Sequence, residues 1–140
     1  MEKQKILIAD DSEMNRALLV DILEDQYDIV EADNGAAAID LLTQCGGDFS
    51  LLLLDIMMPE MDGFEVLAYI NRYHLNDTLA VIMISADDSP ANIKRAYDLG
   101  AFDYISRPFD AAIVRRRISN TMLLYARQRH LENIIAEQFY

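Results

Sequence analysis

The sequence predicts an α/β fold in which five parallel strands form one doubly wound sheet, covered by helices on both faces in three layers. Apolar runs without helical period alternate along the chain with segments of helical period, which is the order of repeated βαβ units. Three of the apolar runs end in polar side chains. Because βαβ connections are right-handed, the carboxyl ends of the strands are expected to line one crevice.

The strands are predicted from short apolar runs. The first runs into Asp10 and Asp11, the third is a run of four leucines that ends at Asp55, and the fourth ends at Ser85. The five predicted strands cover residues 5–9, 27–32, 51–54, 79–84 and 102–106. Since parallel strands end at the same edge of a sheet, we expect these polar side chains to converge.

Five segments have helical period together with start or stop signals. The first follows Ser12, a candidate N-cap, and the fourth follows Ser89, with Pro90 at the position suited to proline. The remaining helices are predicted over residues 36–45, 63–74 and 110–140, and the fourth over 90–99. The side chains expected to form the apolar face of the first helix are Met14, Leu18, Leu19, Ile22 and Leu23.

Length and composition indicate one globular domain. The chain has 140 residues, of which 52% are hydrophobic, which is enough for a full core. No apolar run approaches the length of a bilayer span, and the first one is too short for a signal peptide, so we expect a cytoplasmic protein without membrane contact. Cys45 is the only cysteine, which excludes an internal disulfide and predicts a small buried thiol.

The charge is unevenly distributed. Residues 1–109 carry 7 basic and 21 acidic side chains and residues 110–140 carry 5 and 3, so the net charge of -12 divides into -14 and +2. An acidic body argues against direct nucleic-acid binding, because Lys and Arg contacts to phosphates supply most of that affinity. The run Arg115-Arg116-Arg117 turns through about 200° on a helix, so we expect a solvated helix face instead of a basic stripe.

The polar groups predicted at the strand ends suit phosphoryl chemistry. Carboxylates crowded into one crevice raise each other's pKa unless a cation lies among them, and oxygen ligands favour Mg²⁺ over Zn²⁺. Ser85 offers a hydroxyl to a phosphoryl oxygen, and Arg107 offers a fixed positive charge. In such surroundings Asp55 could attack phosphorus, since phosphoryl transfer depends mostly on positioning and charge stabilisation.

Four motifs in this order resemble the receiver domain of two-component response regulators. They are Asp10-Asp11, Asp55-x-x-x-Pro59-x-Met61-Asp62-Gly63, Ser85-Ala86 and Tyr104-x-x-Arg107-Pro108-Phe109. The resemblance covers residues 5 to about 120. It implies a flavodoxin-like sheet of order 2-1-3-4-5, a receiver domain over residues 1–120 and a C-terminal helical extension over 121–140.

The resemblance also implies roles for the individual residues. Asp55 would be the phosphoacceptor, which takes a phosphoryl group from a sensor histidine kinase. Mg²⁺ would be held by Asp10, Asp11, Asp55 and the backbone carbonyl of Met57. An aspartyl phosphatase would need a second carboxylate where this chain has Met57, so we expect the protein to promote only its own phosphorylation and dephosphorylation and not to act as an enzyme.

The phosphoryl oxygens would be contacted, by the same resemblance, by Ser85, the backbone N–H of Ala86 and Arg107. Tyr104 would be the switch residue, half-exposed at rest and turning inward when Ser85 moves. The peptide bond between Arg107 and Pro108 is a candidate for the cis form.

Arg107 departs from the family pattern, which has lysine there. Arginine keeps the positive charge but not the geometry of an ammonium group. Two functions therefore stay open. In one, phosphorylation of Asp55 reshapes the face made by the fourth helix, fifth strand and last helix, and so controls dimerisation or an output domain. In the other, the chain is a pseudo-receiver, a constitutive dimerisation or docking module in which Arg107 already pairs with Asp55.

The last predicted helix is longer than the sheet requires. Residues 110–140 would span about 46 Å as a helix. Its weak heptad consists of Leu124, Leu131, Ile134, Ile135 and Phe139. We expect a homodimer seam or a connector to an output domain, with a frayed tail as the alternative. With Arg107-Pro108-Phe109-Asp110 before it, the arginine run and then Leu124-Tyr125-Ala126, the helix looks similar to those that lead into cyclic-di-nucleotide signalling domains.

Overall fold

Five parallel strands form a single sheet in the order β2-β1-β3-β4-β5. The structure is a computed structural model, which describes residues 3–86 and 89–138. The strands are β1 (Lys5–Ala9), β2 (Asp28–Ala32), β3 (Phe49–Asp55), β4 (Ala80–Ser85) and β5 (Asp103–Ser106). The predicted fold class and strand order are confirmed.

Helices cover both faces of this sheet. They are α1 (Glu13–Leu23), α2 (Gly35–Cys45), α3 (Gly63–Arg72), α4 (Pro90–Asp98) and α5 (Ala111–Gln138). The buried side chains of α1 and α5 pack on one face of the sheet, and those of α2, α3 and α4 pack on the other. Ser12 and Ser89 are N-caps as predicted, since their hydroxyls accept the backbone N–H groups of Asn15 and Asn92.

The observed boundaries differ from the predicted ones by at most two residues. The third helix ends at Arg72 and not at His74, because His74 adopts a left-handed backbone with φ of 56° and begins a 3-10 turn. The last helix is described to Gln138, so the part of the prediction that concerns Phe139 and Tyr140 lies outside the described residues.

Two predictions of burial were wrong. Met14 and Leu18 are 75% and 48% exposed, because α1 turns only Leu19, Ile22 and Leu23 into the core. Cys45 is exposed, since it is the last residue of α2, where that helix ends in a 3-10 turn.

The central strand β3 fixes the position of the phosphoacceptor candidate. It pairs with β1 on one side and with β4 on the other. Leu51 and Leu53 pack in the core under α1 and α5, whereas Leu52 and Leu54 pack in the core under α2, α3 and α4. Apolar side chains on both faces are typical of a parallel strand inside a sheet. Asp55 is the next residue and ends the strand at the carboxyl edge.

The helix α5 extends past the sheet, as predicted. Val114, Ile118 and Met122 are buried one turn apart, but Leu131 and Ile135 are 59% and 55% exposed. The 28 residues of α5 correspond to about 42 Å of helix. The second half of α5 therefore has an apolar surface that the described part of the chain leaves exposed.

The arginine run at the start of α5 does more than form a solvated face. The Nε of Arg115 donates to the carbonyl of Ile22 at 3.1 Å, which joins α5 to α1. A terminal nitrogen of Arg117 lies 3.2 Å from an Asp103 carboxylate oxygen and 2.7 Å from the Tyr104 carbonyl. These contacts stabilise the packing of α5 against its neighbours in the fold.

Tyr125 is expected to stabilise the point where α5 leaves the sheet. Its ring packs edge-on against Phe102, with centroids 5.9 Å apart, and its hydroxyl donates to the Asn76 carbonyl. We predict that Tyr125→Phe lowers the free energy of unfolding by about 1 kcal/mol, because that carbonyl loses a partner. Urea denaturation measures the change. The matched control Tyr73→Phe alters a tyrosine that is 53% exposed, and an equal loss in both variants would contradict the prediction.

Over residues 3–86 and 89–138, no helix combines the length and the apolar composition that a bilayer span needs.

Candidate functional site

Three carboxylates meet at the carboxyl edge of the sheet. Asp10 follows β1 directly and Asp55 ends the neighbouring strand β3, so the two side chains lie side by side. Asp10 and Asp55 are buried, with 0% and 1% exposure, and Asp11 is exposed. One carboxylate oxygen from each of the three residues lies within 4.8 Å of the others. The parallel topology thus brings together the acidic residues that the sequence singled out.

Backbone and side-chain contacts fix the position of Asp10. Its Oδ1 accepts the backbone N–H of Ser12 at 2.9 Å. Its carbonyl accepts a terminal nitrogen of Arg16 at 2.7 Å, and the Nε of Arg16 in turn lies 3.1 Å from Glu31 Oε1. Arg16 is not among the site residues predicted from the sequence. Its position one turn into α1, after an acidic pair, was the available signal.

Asp55 has an unusually basic carboxylate. Burial, and secondly the charge of Asp10, raise the pKa of Asp55 from 3.8 to about 6. The positive charge of Arg107 and a hydrogen bond from the backbone N–H of Met57 to Asp55 Oδ1, at 3.3 Å, act in the opposite direction. Near neutral pH most of this carboxylate is ionised, and a bound cation would favour that form further.

Arg107 lies directly after β5 and points into the acidic cluster. Its Nη2 donates to Asp10 Oδ2, and the same nitrogen lies 3.3 Å from Asp55 Oδ2. The side chain is only 19% exposed. Its Nε is buried and has no hydrogen-bond partner among the described residues. The guanidinium thus pairs with both buried carboxylates, and its closer partner is Asp10.

The neighbourhood of Arg107 is also defined. Its backbone N–H donates to the Ser85 carbonyl at 2.9 Å, which joins the ends of β4 and β5. Its guanidinium lies 5.8 Å from the centre of the Phe109 ring. The Arg107–Pro108 peptide bond is cis, as the sequence suggested.

The remaining predicted site residues lie in or directly after β3, β4 and β5. Ser85 ends β4 and is 1% exposed, Ala86 follows it and is exposed, and the Met57 side chain is 68% exposed. Tyr104 is 5% exposed, which differs from the half-exposed ring that we expected at rest. Its ring belongs to the core cluster under α2, α3 and α4, so packing across β5 holds it inward.

Gly63 is a further residue on which the site depends. Its N–H donates to the Ile56 carbonyl at 2.8 Å, which joins the start of α3 to the end of β3. A Cβ atom at position 63 would lie 2.2 Å from the Asp55 carbonyl oxygen. Only glycine allows this approach, so the glycine of the Asp62-Gly63 motif allows α3 to start directly against the end of the strand that carries Asp55.

The donor set fits a hard divalent cation. Among the described residues the cluster consists of three carboxylates without a nitrogen or sulfur ligand, and oxygen-only ligation is typical of Mg²⁺. Two of the three carboxylates are buried, so a cation among them would reduce their mutual repulsion.

Comparison with known proteins shows the family of this chain. The family model of the response regulator receiver domain matches residues 6–119. The chain belongs to this family. The predicted family is therefore confirmed, and receiver domains act in two-component signalling.

Two curated relatives show the range of proteins that contain such a receiver domain. The chemotaxis protein CheY of Halobacterium salinarum is 35% identical over 123 residues, which are 87% of this chain and 98% of that protein. A probable cyclic di-GMP phosphodiesterase of Vibrio cholerae is 35% identical over 113 residues, which are 81% of this chain but only 25% of that protein. The receiver domain thus spans almost all of one relative and a quarter of the other.

Solved structures have the same fold. The CheX-CheY-BeF3-Mg²⁺ complex from Borrelia burgdorferi contains a chain with a TM-score of 0.78 and 30% sequence identity, and the match covers 83% of this receiver domain and 87% of that chain. A probable two-component system response regulator/GGDEF domain protein has a TM-score of 0.81 and 28% sequence identity. That match covers 87% of this chain and 50% of the other.

Proposed function

We propose that this receiver domain is a phosphoacceptor switch in which Asp55 takes a phosphoryl group from a sensor histidine kinase. The observation that carries the proposal is the buried Asp55 at the end of β3, with two further carboxylates within 4.8 Å. A structural aspartate would have no need of two acidic neighbours. Their repulsion is tolerated where a cation and a phosphoryl group bind.

The transfer involves one bond formed and one broken. A carboxylate oxygen of Asp55 attacks phosphorus as the bond between phosphorus and the kinase imidazole nitrogen breaks, and the electron pair of that bond stays on the imidazole. The product is an acyl phosphate on Asp55. The hydroxyl of Ser85, the backbone N–H of Ala86 and the guanidinium of Arg107 are the proposed donors to the phosphoryl oxygens.

Magnesium is the proposed cofactor. Asp10, Asp11, Asp55 and the backbone carbonyl of Met57 would hold it, and it would neutralise charge on the phosphoryl oxygens. The oxygen-only cluster supports this assignment. The structure of the Borrelia burgdorferi relative is described as a complex with BeF3 and Mg²⁺, which adds support by similarity.

The proposed readout is a change of the face made by α4, β5 and α5. A phosphoryl group on Asp55 would draw Ser85 toward it and shift the loop that leads into α4. Because Tyr104 is already buried, this change begins at Ser85 and does not wait for the ring to turn inward. A local change of charge of this kind shifts the balance between two conformations of the α4, β5 and α5 face.

The second half of α5 is the proposed route to an output. Its exposed Leu124, Leu131 and Ile135 suit a homodimer seam or a connector beyond residue 120. An output domain of cyclic-di-nucleotide signalling is proposed from the similarity to the longer Vibrio cholerae relative. In this role the receiver domain is a cytoplasmic switch, and any enzymatic activity would belong to the attached domain.

One observation favours the second candidate, a pseudo-receiver that serves as a constitutive docking module. Arg107 already pairs with Asp10 and Asp55, and so occupies part of the space where a phosphoryl group would be stabilised. In that case the face of α4, β5 and α5 would have the same shape with or without a phosphodonor.

Intact-mass measurement with acetyl phosphate and Mg²⁺ separates the two candidates. We predict that the native protein gains the mass of one phosphoryl group and that Asp55→Asn gains none, because the nucleophile is lost. The matched control Asp21→Asn removes an exposed carboxylate of α1 and is expected to behave as the native protein. Light scattering on the same samples reports whether the oligomeric state changes. A native protein without any mass gain would favour the docking module.

A further inference from the structure

We propose that Arg107 is an internal counter-ion that competes with the divalent cation for the acidic cluster, and so sets how tightly this receiver domain binds Mg²⁺. The inference rests on the proposed function to the extent that the cluster is taken to bind Mg²⁺. It assigns Arg107 a second role, which precedes any contact with a phosphoryl group.

The two oxygens of each buried carboxylate have different partners. Asp10 Oδ1 accepts the Ser12 N–H and Asp55 Oδ1 accepts the Met57 N–H. The other oxygen of each carboxylate, Oδ2, is the one that Arg107 Nη2 contacts. A cation that takes the Oδ2 atom of either carboxylate therefore competes with Arg107, and both Oδ2 atoms lack the backbone hydrogen bond that each Oδ1 accepts.

The chemistry of arginine makes this competition persistent. A guanidinium stays protonated at every pH that a protein survives, so it cannot leave the carboxylates by losing its proton. Arg107 is largely buried, and breaking a buried ion pair leaves charge without a partner. Cation binding must therefore work against the contact with Asp10.

Two features of the surroundings favour a guanidinium that has lost its contact with Asp10. The Phe109 ring already lies 5.8 Å from it, and an aromatic face stabilises a nearby cation. The buried Nε, which has no partner among the described residues, is a group that a phosphoryl oxygen could satisfy. A displaced Arg107 would thus keep one favourable contact and could gain another.

Competition of this kind is reciprocal and measurable. Coupling between two ligands of one protein typically changes their affinities 5- to 150-fold, and we expect a value of about tenfold, toward the lower end of that range, for the partly exposed Arg107. Removing the guanidinium should therefore tighten cation binding. If Arg107 only helped to organise the metal ligands, its removal would instead weaken cation binding.

Metal binding, measured without any phosphodonor, tests the inference. Free Mn²⁺ is counted by electron paramagnetic resonance, and Mg²⁺ affinity follows from competition with Mn²⁺. We expect Arg107→Gln to bind Mg²⁺ about tenfold more tightly than the native protein. The control Arg116→Gln removes the same charge from an exposed site of α5 and should bind as the native protein does. An affinity of Arg107→Gln equal to or weaker than that of the control overturns the inference.

A measurement on the native chain keeps the test independent of the folding of Arg107→Gln. The ¹⁵N resonance of the Arg107 Nε reports the surroundings of the guanidinium, and we expect it to shift when Mg²⁺ saturates the protein. A resonance that stays in place under saturation overturns the inference but leaves phosphorylation of Asp55 as proposed. Absence of Mg²⁺ binding in both the native protein and Arg107→Gln overturns the inference and the proposed function together.

Discussion

Replacing Gly63 with alanine is expected to destabilise the protein by about 3 kcal/mol or more, one of the largest effects of any single methyl group in this chain. The added Cβ would lie 2.2 Å from the Asp55 carbonyl oxygen and 2.8 Å from the Ile56 Cα. Both are backbone atoms of a central strand and the residue after it, so neither can move without disturbing the sheet. The hydrogen bond from the Gly63 N–H to the Ile56 carbonyl, at 2.8 Å, would be strained as well.

Urea denaturation of Gly63→Ala against Gly47→Ala tests this expectation. A Cβ at position 47 would meet no atom within 4 Å, so its alanine variant should be neutral or more stable by up to about 1 kcal/mol. The two variants have the same chemical change and differ only in their surroundings. Equal midpoints would show that the strand end yields easily to the extra methyl group. A folded Gly63→Ala protein should also bind Mg²⁺ more weakly, because Asp55 is displaced.

Much of the site could be predicted because it follows from strand topology. A parallel sheet places the end of every strand at one edge, and the apolar runs before Asp10, Asp55 and Ser85 were clear enough to locate those ends. The same reasoning predicts that Arg107 follows the fifth strand. No information about packing was required for these placements.

The features that could not be predicted depend on contacts between elements. Helical period places Met14 and Leu18 on the apolar face of the first helix. Whether they are buried depends on how α1 packs against the sheet. The burial of Tyr104 depends on the helices across β5. The pairing predicted from the sequence was between Arg107 and Asp55. Because the ends of β1 and β3 are neighbours, Asp10 also lies near Arg107. Only the side-chain geometry shows that Asp10 is the closer partner.

Asp55→Asn is expected to make the metal-free protein more stable at neutral pH. The folded state raises the pKa of Asp55 from 3.8 to about 6, so it binds the proton more tightly than the unfolded chain does. The stability that the protonated group provides is fully present below pH 3.8 and is lost as the pH rises through about 6. Asparagine resembles the protonated carboxyl group and does not titrate, so the variant avoids this loss.

The shift from 3.8 to about 6 corresponds to roughly 3 kcal/mol, and we expect a gain of about 2 kcal/mol for Asp55→Asn at pH 7.5 in EDTA. Urea denaturation between pH 4 and pH 7.5 should show the gain shrinking as the pH falls, and Mg²⁺ should reduce it by stabilising the native protein. The control Asp11→Asn alters an exposed carboxylate of the same cluster and should change stability little. If Asp55→Asn were no more stable than the native protein at pH 7.5, the pairing of Asp55 with Arg107 would fully offset its burial. A gain would instead mean that the fold keeps a destabilising charge at Asp55, which is expected where chemistry and not packing selects the residue.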